Sequence, residues 1–287
     1  MKKVTIQGVE GCYHEVAARR FFAGEEIGVL PCATFGKLFD AMASDKSLLG
    51  IAAIENTIAG SLLQNHELLS QSNLKIIGEQ KIRISHVVAV LPGQKIEQIR
   101  EVHSHPIALM QCATWLSNHP TLKAVESDDT AESAKIIAEQ GLEGHAAICG
   151  EWAAELYGLE IIERAIETNR HNFTRFLILS DSATAEEYTQ QEEINKASIQ
   201  FSLAHSTGSL SKILTIFSFY DINLTKIQSL PIIGCEWEYL FYVDLTFDNL
   251  ERYRQALDAV RPLITDFKVL GEYREAATPS IDINNIK

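Results

Sequence analysis

A threonine and an arginine stand side by side at the start of an apolar run, within the sequence Asn-Phe-Thr-Arg-Phe at residues 172–176. Residues 176–179 continue the pattern of a buried strand, so Thr174 and Arg175 lie at a strand end, where ligands bind in open α/β sheets. Neighbouring side chains of a strand point to opposite faces, so both can face one pocket only if the backbone bends. We therefore expect one of them to contact a ligand and the other to support it, unless the pair merely ends a strand.

Two further polar segments follow predicted strands. Residues 8–14, Gly-Val-Glu-Gly-Cys-Tyr-His, open a helix after the first strand, so their backbone N–H groups either bind an anion or simply form a tight turn. Glu55, Asn56 and Thr57 follow the apolar strand that ends at Ile54. A carboxylate and an amide at that position suit recognition of a polar ligand, and capping of the next helix is the rival role.

Two helix starts carry the remaining candidate groups. His103 and His105 flank one residue, which suggests a metal site, but no third and fourth ligand stand at a recognisable spacing. Pro106 explains the segment better as a first helical residue, with Ser104 or His105 near the N-cap and the N–H groups behind it free for an anion. Residues 128–131 open another helix, where acidic groups are the usual complement of the helix dipole. With no Ser/His/Asp order and no Walker loop, the sequence favours a cleft for a small anionic ligand.

The composition is that of a globular protein of about two domains, with 287 residues, 46% apolar and 22% charged. The formal net charge of -13 argues against nucleic acid and anionic membranes as partners, so any anionic ligand must be held by local positive potential. The N-terminus lacks the apolar segment of a signal peptide, and no stretch is long enough to span a bilayer. The scattered cysteines fit a reducing compartment, so we predict a cytoplasmic protein; they are Cys12, Cys32, Cys112, Cys149 and Cys235.

Strand and helix patterns alternate up to about residue 180, which predicts an α/β protein with a mainly parallel sheet, either as one unit or as two lobes. The predicted strands cover residues 4–8, 50–54, 86–91, 102–104, 145–149 and 173–179. The predicted helices cover residues 15–22, 35–43, 61–70, 106–117, 130–139 and 151–157.

The pattern changes after residue 180. The polar, acidic residues 182–196 predict a linker, and residues 276–287 have no periodicity and are expected to fray. Between them, strands and helices follow in the order βαββαβ, which is the ferredoxin-like arrangement. The strands are predicted at residues 197–204, 223–228, 237–247 and 264–273, and the helices at 209–220 and 249–260.

Taken together, these segments resemble the prephenate dehydratase family. Its Asn-x-Thr-Arg-Phe signature matches residues 172–176, its Ile-Glu-Asn-Thr motif matches 54–57, its Ser-His-Pro motif ending in Gln-Cys matches 104–112, and its Gly-x-x-Gly turn matches 8–11. The resemblance implies a catalytic domain over 1–181 with two lobes similar to type II periplasmic binding proteins, the second lobe at about 80–160. The βαββαβ unit, at 197–275, resembles the ACT regulatory domain of this family.

The resemblance implies conversion of prephenate to phenylpyruvate in phenylalanine biosynthesis, with loss of CO2 and water and without a cofactor or a metal. Cys12 stands where the family usually has Thr or Ser, and full proton transfer would need water, His105 or Glu55. Two alternatives remain open: arogenate dehydratase, which recognises an amino group where prephenate has a keto group, and a non-catalytic amino-acid-sensing module. By the family match Thr174 is the catalytic donor to the leaving hydroxyl, and the substrate-binding residues are Glu55, Asn56, Ser104, Gln111, Arg175 and Phe176.

The ACT resemblance implies feedback by L-phenylalanine bound between ACT units. Gly208, Ser209 and Leu210 stand at the Gly-Ala-Leu site of the family, and Gln228, Ser229, Leu230 and Pro231 stand at its Glu-Ser-Arg-Pro site. Gln and Leu replace the Glu and Arg of that motif, which leaves the strength of the response open. Paired ACT units imply a homodimer or a homotetramer. No chorismate mutase segment precedes Met1, which suggests the monofunctional form.

Overall fold

Two sheets organise the chain, one of ten strands and one of five. The computed structural model describes residues 1–191, 193–203, 205–232, 234–235 and 238–279. Its strands are β1 (Lys2–Gln7), β2 (Ile27–Cys32), β3 (Leu49–Asn56), β4 (Gly60–Ser61), β5 (Lys75–Arg83), β6 (His86–Val90), β7 (Glu101–Ser104), β8 (Lys123–Glu126), β9 (His145–Gly150), β10 (Glu160–Arg164), β11 (Phe173–Ser180), β12 (Lys196–Ser202), β13 (Asn223–Pro231), β14 (Tyr239–Thr246) and β15 (Thr265–Tyr273). Its helices are α1 (Tyr13–Phe21), α2 (Phe35–Ser44), α3 (Leu63–Gln71), α4 (Pro106–Gln111), α5 (Ala113–Asn118), α6 (Thr130–Gln140), α7 (Glu151–Leu156), α8 (Ser182–Gln191), α9 (Ser209–Phe219) and α10 (Leu250–Val260).

The first lobe consists of β1 to β5 and β11, with α1, α2, α3 and α8. β1 lies parallel between β2 and β3, whereas β11 lies antiparallel between β3 and β5. The chain leaves this lobe after β5 and re-enters it in β11 from the other lobe, so the returning strand runs in the opposite direction. The expected mainly parallel sheet is therefore correct around β1 and wrong around β11.

The second lobe consists of β6 to β10 with α4 to α7, in the sheet order β10-β6-β9-β7-β8. β7 is parallel to β8 and β9, and β6 is antiparallel to β9 and β10. Val88, Val90, Ile148 and Trp115 belong to its core. The chain crosses between the lobes twice, before β6 and before β11, so both crossings border one cleft. Among the described residues, no helix is long and apolar enough to cross a bilayer.

The C-terminal unit consists of β12 to β15 with α9 and α10, in the sheet order β13-β14-β12-β15. This confirms the predicted ferredoxin-like unit, whose core includes Phe217 and Ile213 of α9 and Tyr253 and Leu257 of α10. β15 also lies beside β5, in parallel, so that this sheet continues into the sheet of the first lobe. The sequence did not indicate this continuity, because a single strand contact joins the two parts.

The segment predicted to be a linker contains helix α8, which packs on the first lobe. Ala185 is buried in the lobe's core, and Tyr188 lies against Phe21 and accepts a hydrogen bond from Lys2 at 2.8 Å. Two residues three positions apart were enough to dock an otherwise polar helix. Residues 276–279 form no helix or strand, and the remainder of the predicted tail lies outside the described residues.

Sequence patterns missed five strands, β2, β4, β5, β8 and β10. β5 contains the charged residues Glu79 and Lys81, although Glu79 is buried, and β2 contains Pro31 at the outer edge of its sheet. Charged residues and proline both weaken the pattern of a strand, but proline is tolerated at an edge and buried charges are tolerated when they are paired.

The contact of β15 with β5 has no room for a side chain at Gly271. A Cβ atom there would overlap the carbonyl oxygen of Ile76 and come within 2.6 Å of Ile76 Cβ. We expect Gly271→Ala to lower the free energy of unfolding in urea by about 1–3 kcal/mol, because backbone would have to move. Gly36→Ala, in α2 where nothing lies close, is the control and should not be destabilising. Equal stability of the two variants would contradict the close approach.

Candidate functional site

A cavity of about 280 Å³ lies between the two lobes. It is bounded by the ends of β3 and β11 in the first lobe and by α4 and the start of α6 in the second. Such a site, assembled from strand ends and helix starts at a cleft, is typical of small-molecule binding. The first lobe contributes Cys12, His14, Phe35, Asn56, Thr174 and Phe176, and the second contributes His86, His105, Ala108, Gln111, Asp129 and Thr130.

The Thr174 hydroxyl is held by the side chain of Asn56, which lies opposite it in the β3–β11 pair. Asn56 Nδ2 donates to Thr174 Oγ1 at 2.9 Å and to Asn172 Oδ1 at 2.8 Å. The backbone N–H groups of Ile58 and Ala59 donate to Asn56 Oδ1, so the turn after β3 determines which way the amide points. Because Thr174 Oγ1 accepts from Asn56, its own O–H proton is left for a group in the cavity.

The second lobe presents two histidines. His86 Nε2 lies 3.0 Å from Gln111 Oε1, and burial lowers the pKa of His86, so the neutral ring donates to the amide oxygen. Its Nδ1 has no hydrogen-bond partner among the described residues. His105 is the N-cap of α4, and Pro106 is its first residue, as predicted. The sequence did not single out His86, because a histidine that begins a buried strand carries no local motif.

An aromatic wall closes the first-lobe side. The His14 ring meets Phe176 and Phe35 edge-on, with centroid distances of 4.9 and 5.4 Å. Burial lowers the pKa of His14 to about 3, so the ring is neutral. Burial likewise raises the pKa of Cys12 to about 12, which keeps it a thiol whose Sγ is 3.5 Å from the backbone oxygen of Gln7. Cys12 therefore packs as a small apolar side chain.

Asp129 brings a carboxylate to the cavity and caps α6, where its Oδ1 accepts from the backbone N–H groups of Ala131 and Glu132. This capping role agrees with the sequence prediction. Burial raises the pKa of Asp129, and the carboxyl group forms no salt bridge with a described residue. A half-buried carboxylate without a salt-bridge partner is a candidate for binding a positively charged group of a ligand.

Among the residues that the structure describes, neither a lysine nor an arginine lines this cavity. Positive potential comes instead from the N-terminus of α1, where the Cys12 N-cap makes no side-chain capping bond. The turn before it is closed by the backbone N–H of Gly11, which donates to Glu15 Oε2 at 2.6 Å. Cys12, Tyr13 and His14 at this end of α1 line the cavity, so the helix start lies beside it, where the helix dipole favours an anion.

Arg175 and Glu55, expected to bind substrate, do not line the cavity. β11 alternates as its pleat requires: Thr174 faces the cavity and Arg175 the opposite side, where its guanidinium binds Asp244 of the C-terminal unit. Glu55 lies beside it and binds both Arg175, at 3.1 Å, and Lys226. The prediction that Arg175 and Glu55 bind substrate is therefore corrected. Their charged groups are paired at the boundary with the C-terminal unit instead.

Ser104 does not line the cavity either. It is buried and donates to the backbone oxygen of Ile148 at 2.6 Å, so it holds β7 against β9. His103 points to the other side of β7, where its Nε2 lies 2.8 Å from His145 Nδ1 and 3.5 Å from Glu101. His103 and His105 thus do not share a site. Glu101, His103 and His145 form the group of described residues that could hold a metal ion.

The residues expected to bind an effector fall into two separate places. Residues 208–210 form the start of α9, with Gly208 in the left-handed region at φ 79°. Residues 228–231 end β13, the outermost strand of the large sheet. Leu230 and Pro231 line a cavity of about 440 Å³ together with residues of α3.

The buried His14 ring makes stability depend on pH. Its pKa is about 3 in the folded chain against 6.5 ordinarily, so the unfolded chain takes up the proton first as pH falls. The contribution of the neutral His14 ring to the free energy of unfolding is complete above pH 6.5. It is lost as the pH falls towards 3, with a slope of up to about 1.4 kcal/mol per pH unit. His14→Phe should show a shallower decline in the free energy of unfolding over this range. The exposed His171→Phe is the control, and an unchanged slope in His14→Phe would contradict the burial.

A family profile described as prephenate dehydratase matches residues 4–184. A relative from Arabidopsis thaliana, named arogenate dehydratase/prephenate dehydratase 2, chloroplastic, is 37% identical over 281 residues, which are 94% of this chain and 72% of that protein. A bifunctional chorismate mutase/prephenate dehydratase from Aquifex aeolicus is 34% identical over 277 residues, covering 96% of this chain and 74% of that protein.

Solved structures agree with these matches. A prephenate dehydratase from Arthrobacter aurescens in complex with L-Phe has a TM-score of 0.83 and 25% identity, covering 97% of this chain and 92% of that chain. GqqA, described as a novel type of quorum quenching acylase, has a TM-score of 0.83 and 29% identity, covering 95% and 98%. With its fold, cleft and sequence in agreement, this chain belongs to the prephenate dehydratase family and is a lyase-type dehydratase.

Proposed function

We propose that this protein converts prephenate to phenylpyruvate, with release of CO2 and water, as a step in phenylalanine biosynthesis. One observation carries the proposal: the Thr174 hydroxyl, oriented by Asn56, faces the cavity between the lobes. The family match supports the reaction class. We further propose that residues 1–181 form the catalytic domain and residues 197–275 the regulatory domain.

In the proposed reaction the ring carboxylate leaves as CO2 while the ring hydroxyl leaves with a proton as water. The electron pair of the broken C–C bond enters the ring, and aromatisation drives the step. Thr174 donates a hydrogen bond to the departing oxygen, where negative charge develops. In a site shielded from water, one such donor contributes on the order of 10²-fold or more. A threonine hydroxyl is too weak an acid to give up its proton, so water or His105 completes the transfer. Glu55 is no longer a candidate, since it lies outside the cavity.

Prephenate carries two carboxylates, and the cavity offers hydrogen-bond donors rather than side-chain cations to hold them. The first turn of α1 and the neutral His86 and Gln111 pair lie on opposite sides of the cavity. The free backbone N–H groups of α1 bind one carboxylate, and the side-chain Nε2 of Gln111, whose Oε1 accepts from His86, donates to the other. Phe176 and His14 pack against the ring of the substrate.

Asp129 favours a second candidate, arogenate, because a half-buried carboxylate without a salt-bridge partner suits the ammonium group that replaces the keto group of prephenate. Several relatives, such as one from Petunia hybrida that is 35% identical, are named arogenate dehydratases. Prephenate has no ammonium group and would leave this carboxylate unpaired, so Asp129 should affect the binding of the two substrates differently.

Asp129→Asn separates the two substrates, since asparagine also caps a helix but cannot pair with an ammonium group. If arogenate is the substrate, we expect its kcat/KM to fall about tenfold, equivalent to ~1.4 kcal/mol, with little change for prephenate. If prephenate is the substrate, removing a negative charge should lower its KM. Rates of phenylpyruvate and phenylalanine formation measure the two reactions, and an equal change for both would remove Asp129 from substrate discrimination.

Thr174→Val tests the central assignment, because it removes the hydroxyl and keeps the shape. We expect kcat to fall about 10²-fold or more with the fold intact by circular dichroism. Ser104→Ala is the control: it also removes a hydroxyl, but outside the cavity, and should lower thermal stability while leaving kcat near normal. Near-normal turnover by Thr174→Val would refute the role.

A wild-type chain that binds phenylalanine but forms no product from either substrate would be the non-catalytic sensing module.

We also propose that L-phenylalanine regulates the enzyme through the C-terminal unit, in a homodimer or homotetramer. The solved structure of the Arthrobacter aurescens prephenate dehydratase in complex with L-Phe supports this proposal. The positions of residues 208–210 at the start of α9 and of residues 228–231 on an edge strand support it as well. A binding site divided between these places would be completed by a second subunit. Running the same assays with and without phenylalanine measures the response left by Gln228 and Leu230.

A further inference from the structure

β3 and β11 each send one side chain into the cavity and the neighbouring one towards the C-terminal unit. In β11 these are Thr174 and Arg175, and in β3 they are Asn56 and Glu55. The two strands pair so that Thr174 lies opposite Asn56 and Arg175 lies opposite Glu55. The hydrogen bond that orients the catalytic hydroxyl therefore has an ion pair directly behind it, at 3.1 Å between Arg175 Nη1 and Glu55 Oε1.

The Arg175 guanidinium is the centre of contacts that cross from the first lobe to the C-terminal unit. Its Nε donates to Glu79 Oε2 of β5 at 2.6 Å, and Nη1 pairs with Asp244 of β14. Its Nη2 donates to Tyr273 Oη of β15 at 3.0 Å. The Arg175 side chain is only 7% exposed, and those of Glu79 and Asp244 are 0% and 9% exposed. A guanidinium in this setting stays where its partners hold it, since an unpaired buried charge costs several kcal/mol.

Other charged groups complete this ion cluster and leave it electrically balanced. Lys196 of β12 binds Glu79, and Lys226 of β13 binds Glu55. Three cations therefore face three carboxylates: Arg175, Lys196 and Lys226 against Glu55, Glu79 and Asp244. At the rim, Lys196 also lies 3.6 Å from Glu275, whose charge is balanced by Lys81. Ser198 Oγ donates to Asp244 Oδ1 at 2.5 Å and so holds the carboxylate in the direction of Arg175. Two cations and one carboxylate come from the C-terminal unit, Arg175 and Glu55 come from strands that line the cavity, and Glu79 comes from the neighbouring β5.

We propose that Arg175 and Asp244 are positioning residues for the dehydration: their contact across the boundary holds β11 and β3 in the register at which Asn56 orients the Thr174 hydroxyl. The C-terminal unit thereby takes part in catalysis without contributing a group to the cavity. This inference rests on the proposed function of Thr174, and it extends that function to a residue pair outside the site.

Geometry gives the reason that a remote contact affects the rate. The Asn56 to Thr174 hydrogen bond is 2.9 Å long, and a shift of one strand by about 1 Å would break it. Reactions that depend on a placed donor lose on the order of 10²-fold for such a shift. A purely structural ion cluster would instead change the fraction of folded protein and leave the rate per folded molecule unchanged.

Asp244→Asn in the full-length protein is the decisive variant, because it removes one charge of the pair and nearly retains the shape. We expect kcat per folded molecule to fall at least tenfold, with KM changed less than twofold. Asp221→Asn is the matched control in the same C-terminal unit, since Asp221 forms an exposed ion pair with Arg252 and should leave kcat unchanged. Ser198→Ala keeps the Asp244 charge but removes the hydrogen bond that orients its carboxylate, so it should give a smaller loss of kcat. It takes the place of Asp244→Asn if that variant does not fold.

The side-chain amide resonance of Asn56 provides a second readout that does not need turnover. It is assigned by its loss in Asn56→Asp, and we expect it to shift in Asp244→Asn and Ser198→Ala but not in Asp221→Asn. Unchanged kcat together with an unchanged Asn56 resonance in folded Asp244→Asn and Ser198→Ala would overturn the inference while the proposed function stands. If the wild-type chain forms product from neither prephenate nor arogenate, the proposed function fails, and the Asn56 resonance alone then supports or overturns the positioning role.

Discussion

The alternation of β11 is the constraint on which the rest of the structure depends. One strand, central in the ten-stranded sheet, directs a hydroxyl into the cleft and, at the next residue, a guanidinium towards the C-terminal unit. A slip of one residue in its pairing would put a charge into the cavity and a threonine into the ion cluster. Both environments oppose that slip, because each is complementary to one of the two side chains.

The electrostatic character of the cleft depends on which charged side chains the sheet directs away from it. The chain has a net charge of -13, and Arg175, the cation nearest to Thr174 in sequence, is paired with Glu79, Glu55 and Asp244. The cavity is lined by His14 and His86, whose lowered pKa values keep them neutral, by side-chain amides and by the first turn of α1, with the half-buried carboxylate of Asp129. N–H donors in a site of low dielectric can bind an anion without a cationic side chain, because their dipoles are already oriented.

The two lobes and the C-terminal unit are joined in different ways. Besides the two chain crossings, a hydrophobic cluster with residues from both lobes, such as Ile51 and Ala147, packs the lobes together. A continuous sheet and a balanced ion cluster join the C-terminal unit to the first lobe. The C-terminal unit is therefore connected to the first lobe through paired strands and buried charges, whereas the lobes are connected through apolar packing.

The sequence by itself determined the class of the fold, the ferredoxin-like C-terminal unit, and the position of Thr174 at a strand end, because these depend on local periodicity and ordered motifs. It did not determine the antiparallel direction of β11, the docking of α8, or the burial of Glu79 within β5, since each depends on a partner distant in the chain. Arg175, Glu55 and Ser104 stand in motifs next to residues of the cavity, and the sequence assigned them to the same site. Only the tertiary structure decided which side of a strand each one faces and what satisfies its charge or hydroxyl there, because a pleat separates neighbours in sequence and a fold brings Asp244 to Arg175.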